Sequence, residues 1–166
     1  MITLINYTCA FLEHNDKILL LERASNRKVN PSFWSGVGGK MEAAEINAPY
    51  SACLREIYEE TGITTSDIQD FKLRYIIIRR QEQSIKQSYI YFGNTTTDLL
   101  IDSDEGTLHW TPKSQLLDKK FTSTYREMLK HYFSIASDDT SIFVGTAESA
   151  SGRLHMCWSK IEDFKE

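Results

Sequence analysis

Three glutamates on one predicted helix place the tightest limit on this chain. The run Arg55-Glu56-Ile57-Tyr58-Glu59-Glu60-Thr61-Gly62-Ile63 sets Glu56, Glu59 and Glu60 at i, i+3 and i+4, so their carboxylates crowd one helix face. Like charges so placed cost an isolated helix about 0.2–0.5 kcal/mol per pair. A hard divalent cation offsets that repulsion, because it takes carboxylate and water oxygens and bridges to phosphates. Arg55, beside Glu56 and one turn before Glu59, is placed to orient a carboxylate through a bidentate pair. A plain acidic face open to solvent is the competing explanation of three glutamates alone. Context decides against it, since Gly38-Gly39-Lys40 and Glu45 stand upstream. With residue frequencies of about 5–7%, the identities in R-E-x-x-E-E-x-G coincide by chance in one window in ~10⁶. The face itself is expected to be solvated, so that removing a carboxylate leaves the fold intact.

The helix carrying them is bounded by Asn47 as a cap, Pro49 in the first turn and Gly62 just past the end. Ala52, Leu54, Ile57 and Tyr58 supply its apolar side. Before it, Tyr7 to Glu13 and Lys17 to Glu22 predict a β-hairpin around His14-Asn15-Asp16, followed by a polar loop from Asn26 to Ser32. Phe33-Trp34-Ser35-Gly36-Val37-Gly38-Gly39 marks a place where backbone approaches something closely. After it, strands are expected over Phe71 to Arg80, Ser88 to Gly93 and Leu108 to Trp110, and a second helix over Thr124 to Phe133. Ser141 to Thr146 and Arg153 to Trp158 read as a closing hairpin around Glu148 to Gly152. Strands before, between and after two helices predict an α/β or α+β sandwich.

Composition narrows the function. The 166 residues suit a single domain over 1–166, and no repeat or linker divides them. A formal net charge of -4 argues against nucleic-acid binding, which needs a basic face. A small anion is not excluded, since a bound cation inverts the local field. Cys9, Cys53 and Cys157 lack paired spacing and read as thiols in a reducing cytosol. His14, His109, His131 and His155 show no ligand spacing, and Tyr89 and Tyr91 read as packing. The start, Met1 to Asn6, has no basic stretch or long apolar core, and no apolar run approaches the ~18 residues of a membrane span. A cytoplasmic protein, monomer or homodimer, is the expectation.

Gly39-Lys40-Met41-Glu42-Ala43-Ala44-Glu45, with Arg55 to Ile63, resembles the Nudix box, G-x5-E-x7-R-E-U-x-E-E-x-G-U, U being a bulky aliphatic. Nine residues, Ile46 to Leu54, separate Glu45 from Arg55, two more than in the box. A short insertion ahead of the helix accounts for this, and it leaves the orienting role of Glu45 open. The resemblance implies an α+β fold, an α/β/α sandwich about a mixed sheet, and a pyrophosphohydrolase dependent on Mg²⁺ or Mn²⁺. Glu56, Glu59 and Glu60 would bind the cations, with the Gly38 carbonyl completing the shell, and Arg55 would hold Glu56. Glu105, in the acidic stretch Asp102-Ser103-Asp104-Glu105, is a further ligand and the second choice of general base after Glu56. Lys40 and Arg23 would contact phosphate while an activated water attacks phosphorus.

The substrate implied is a small nucleotide. Phe33-Trp34-Ser35-Gly36-Val37-Gly38-Gly39-Lys40 is similar to a run in family members that hydrolyse oxidised purine nucleoside triphosphates such as 8-oxo-dGTP, and Phe33 or Trp34 would stack on the base. Ser35 replaces a base-reading amide of that subgroup, and Lys119 to Ser123 lacks its paired aspartates. ADP-ribose, a nucleotide sugar or a dinucleoside polyphosphate stands as the alternative, and a non-catalytic nucleotide sensor as another.

Overall fold

A computed structural model describes the chain apart from residues 27–30, 102–104, 137, 151–152 and 164–166. Its elements are β1 (Thr3–His14), β2 (Lys17–Arg23), β3 (Trp34–Ser35), α1 (Pro49–Thr61), β4 (Ile68–Gln81), β5 (Ser84–Thr95), β6 (Gly106–Pro112), α2 (Ser123–Ser134), β7 (Ile142–Ala150) and β8 (Arg153–Ile161). The strands form one mixed sheet in the order β3-β2-β1-β5-β4-β7-β8, with β6 also on β2. Pairing is parallel between β1 and β5 and between β4 and β7, and antiparallel elsewhere.

Alternation along the strands builds two cores. Cys9, Phe11, Ile18, Leu20, Tyr75, Ile77, Ile90 and Phe92 face α2, where Met128 and Leu129 close over them. Their neighbours Ala10, Leu12, Leu19 and Tyr91 face α1 and meet Cys53 and Ile57. The sandwich expected from the element order is therefore present. Tyr91 is packing, as read, and Tyr89 lies against the same cluster.

The predicted turns hold for stated reasons. Asn15 and Asp16 both take positive φ, 47° and 61°, the geometry of a two-residue hairpin turn between β1 and β2. Gly62 ends α1 at φ 76° and donates its N–H to the Tyr58 carbonyl. One expectation needs correction: Asn47 does not cap α1. Ala48 occupies the cap position without a side-chain bond, because a turn at 46–47 joins the Ala48 N–H to the Glu45 carbonyl (2.7 Å) and leaves Asn47 a residue early. Pro49 opens the helix as expected. The two middle strands and the last hairpin run longer than predicted. Ser151 and Gly152 of its connection lie outside the described residues.

Leu20 is fully buried between β2 and α2. Leu20→Ala should cost about 2–5 kcal/mol in denaturant unfolding with an unchanged slope. A loss near zero would contradict this core.

Candidate active site

Strands β1 and β2 pair only beside their turn, at Glu13–Ile18 and His14–Lys17, and then diverge. Into this fork runs the segment after β3. Val37 exchanges backbone hydrogen bonds with Ala10 (2.7 and 3.1 Å), Thr8 donates to the Gly39 carbonyl (2.9 Å), and Met41 donates to Asn6 (3.0 Å). Two glycines are required here. Gly38 has φ 140° and a Cβ would strike the Thr8 carbonyl, while a Cβ on Gly39 would strike the Glu56 carboxylate. The glycine run thus brings backbone directly against the end of α1.

Arg55 organises the carboxylates there. Its Nε and Nη2 donate to the two oxygens of Glu45 at 2.7 and 2.9 Å. Nη2 also lies 2.9 Å from Glu56 Oε1, and Nη1 2.8 Å from Glu59 Oε2. The bidentate pair, aided by the Glu42 N–H, holds the Glu45 carboxyl down at about 2. Glu45 therefore keeps an orienting contact despite the longer spacing before the helix.

The acidic face is not uniformly solvated, and that expectation is corrected. Glu59 is 54% exposed as a side chain, Glu56 only 14%, and Glu60 is 6% exposed overall. Ile57 and Thr61 anchor α1 in the core, and this turns Glu60 inward beneath the glycine run. Burial pushes the Glu60 carboxyl up to about 7, although the Gly38 N–H donates to its Oε2 at 2.8 Å, and nearby Glu56 and Glu105 add to the rise. Burial also raises Glu56, against the pull of Arg55.

These groups, together with Glu105, line a cavity of about 810 Å³. That volume lies within the roughly 300–1,000 Å³ of small-molecule sites. Arg23, Lys40, Arg79 and Lys86 line it as well, with Phe33, Trp34 and Tyr125. Every site residue proposed from the sequence except Arg55 lines this cavity, and Arg55 holds two that do. Asp102 to Asp104 lie outside the described residues.

Sequence reasoning missed the aromatic clamps. Lys119 Nζ lies 4.4 Å from the Trp34 ring centre, with the His109 ring tilted against it at 4.7 Å, and Lys120 Nζ lies 4.5 Å from the Phe33 ring. It also missed Arg79 and Lys86, direct cross-strand partners of β4 and β5. Period-two alternation from Tyr75 and Ile77 would have placed Arg79 on this face. His131, read only as lacking ligand spacing, is held by the Tyr75 hydroxyl at 2.9 Å.

The donor set suits a hard divalent cation. It offers carboxylate oxygens in a cleft whose burial disfavours their charge, so a cation there would offset a cost already built in. The cationic part of the lining suits an anion, because Arg23 Nε is buried without a hydrogen-bond partner among the described residues. Cys9, also in the cavity, is no nucleophile at neutral pH, since burial pushes its thiol up to about 12.

A family model described as the NUDIX domain matches residues 4–132. Among solved structures, a MutT protein from Bacillus halodurans superposes with a TM-score of 0.73 at 23% identity, covering 93% of this chain and 97% of its own. A MutT protein from Methanosarcina mazei Go1 gives 0.67 at 20%, covering 80% and 95%. The ORF135 protein of E. coli gives 0.64 at 20%, covering 83% and 96%. At these identities the likeness is one of fold.

A carboxyl with a folded pKa above its ordinary 4.5 retains a proton that the unfolded chain releases. Cation-free protein should therefore lose stability as pH rises from 4.5 to about 7. The loss relative to Glu60→Gln should be on the order of 3 kcal/mol. Thermal melts of both proteins in EDTA check this, and parallel pH profiles would show that Glu60 is not charged at a cost. The Glu45 window lies lower, between about 2 and 4.5, and does not overlap.

Proposed function

The chain belongs to the NUDIX domain family, and on that footing we propose that it hydrolyses a nucleoside triphosphate, canonical or oxidised such as 8-oxo-dGTP, to the monophosphate and pyrophosphate. Hydrolysis of a phosphoanhydride bond is the enzyme class that comes with the family. The observation that carries the substrate class is the cavity lining, which combines the carboxylates Glu56, Glu59, Glu60 and Glu105 with Arg23, whose Nε is buried without a hydrogen-bond partner among the described residues. A polyphosphate engages both kinds of group, the carboxylates through a cation and the cationic side chains directly.

In this reading Glu56, Glu59, Glu60 and Glu105, with the Gly38 carbonyl, hold Mg²⁺ or Mn²⁺. When bound, the cation supplies the Lewis acidity that activates water and neutralises charge on the leaving phosphate oxygen. Arg55 fixes Glu56 through Oε1, which leaves Oε2 to take the proton of the attacking water. Glu105 is the second candidate for that proton. Glu45 keeps Arg55 from swinging away, and Arg23 and Lys40 hold phosphate oxygens. Phe33 or Trp34 stacks on the base, and the Lys119 and Lys120 clamps limit the rotation of those rings.

A second reading, a dinucleoside polyphosphate, ADP-ribose or a nucleotide sugar, is favoured by Arg79 and Lys86, which add two cations to the cavity lining beside Arg23 and Lys40. Glu56, Glu59 and Glu60 of the box are all present, which favours catalysis over a sensor role. Action on free nucleotides in the cytoplasm fits the net charge of -4, and among the described residues no helix is long and apolar enough to cross a membrane.

The test is a hydrolysis screen with Mg²⁺, following products by chromatography over canonical and oxidised (d)NTPs, ADP-ribose, nucleotide sugars and dinucleoside polyphosphates. Triphosphate conversion to monophosphate and pyrophosphate is expected, abolished by EDTA and lowered by orders of magnitude in Glu59→Gln and Glu60→Gln. Arg55→Ala should cost less, because it orients and does not ligate. Near-normal turnover in either glutamine variant would defeat the cation assignment. An oxidised triphosphate turned over no faster than its parent would remove the oxidised-purine preference.

A further inference from the structure

On the hairpin of β7 and β8, outside the residues 4–132 matched to the family, three side chains of metal-binding type converge. Glu148 and His155 are direct partners across the ladder, and Cys157, two residues along β8, shares their face. The alternate residues Phe143, Met156 and Trp158 pack toward α2, so the triad stands on the opposite face. One ligand atom of each residue lies within 4.8 Å of the other two, and Cys157 Sγ is 3.6 Å from His155 Nδ1. A tetrahedral centre with bonds of about 2.3 Å to sulfur and about 2.05 Å to nitrogen places those atoms roughly 3.6 Å apart. The thiol and the imidazole already stand at that separation. Cys157 is also exposed, while Cys9 and Cys53 are buried as free thiols usually are.

We propose that Glu148, His155 and Cys157 bind a borderline-soft divalent cation of the zinc class, with water in the remaining position. Binding forms the sulfur–metal bond as the Cys157 thiol releases its proton to solvent, with no change of oxidation state. The ligands discriminate against the ion of the carboxylate cluster, because Mg²⁺ takes oxygen donors and this site offers sulfur and nitrogen. None of the three residues lines the cavity, so the site is separate from the proposed hydrolytic centre and stands independently of it. The separation of these residues in sequence hides the set, which the hairpin register assembles.

Cobalt(II) is the probe, titrated into the purified full chain in excess Mg²⁺. A thiolate-to-cobalt charge-transfer band saturating at one equivalent and displaced by Zn²⁺ is expected. Cys157→Ser and His155→Ala should each lose the band, and Glu148→Gln should shift the titration midpoint by about tenfold or more. Glu59→Gln should keep the band, and Cys157→Ser should keep the parent's melting temperature and Mg²⁺-dependent turnover. Absence of the band at stoichiometric cobalt, or its survival in Cys157→Ser, would overturn the site, the latter assigning it to Cys9 or Cys53.

Discussion

One guanidinium makes the acidic end of α1 tenable before any ligand arrives. Arg55 touches Glu45, Glu56 and Glu59 at once, and its planar donor fork suits several carboxylates better than a lysine ammonium would. Glu60 is left out of that network and accepts a backbone N–H from Gly38. The cluster is thus half neutralised and half held in reserve, with the unmet part on the buried side. The remaining positioning follows from this, since the helix must sit where Gly38 and Gly39 reach it, and the glycines must sit where β1 and β2 part.

The two faces of the sheet divide the work. On the α1 face, Ala10, Leu12 and Leu19 seat the helix that carries the carboxylates. On the α2 face, Arg79, Lys86 and Ser88 line the cavity beside Cys9 and Ile77, which belong to the core and line it as well. The cleft therefore borders the N-terminal turn of α2, where Thr124 also lines it. Tyr125, in the first turn of α2, marks that border: its ring edges against Phe11 in the core while the residue also lines the cavity.

The acidic helix was legible because its spacing is periodic and its bounding residues, Pro49 and Gly62, act locally. Both hairpins were legible for the same reason. Burial of Glu60 was not, because it depends on how deeply Ile57 and Thr61 sink into a core built from strands far away in sequence. Asn47 misled as a cap because its chemistry suits the role, whereas the turn at 46–47 fixes its place. The Lys119 and Lys120 clamps come from a segment far away in sequence, which the pairing of Trp34 with Phe121 brings to Phe33 and Trp34. The Glu148, His155 and Cys157 set likewise needs the ladder register and cannot be read from spacing.

A cavity lined by charges of both signs also shapes how a polyanion arrives. The chain as a whole carries -4, so at a distance it repels such a molecule. Within a Debye length, about 8 Å at physiological ionic strength, the individual lining charges are felt instead, Arg23, Lys40, Arg79 and Lys86 attracting and Glu56, Glu59, Glu60 and Glu105 repelling. A cation held by the carboxylates would leave the attraction dominant. Approach and docking then respond to salt in opposite senses: screening eases the distant repulsion and weakens the close attraction. The sign that an incoming anion meets is thus set by whether the carboxylates already hold a cation, and the order of binding becomes part of recognition.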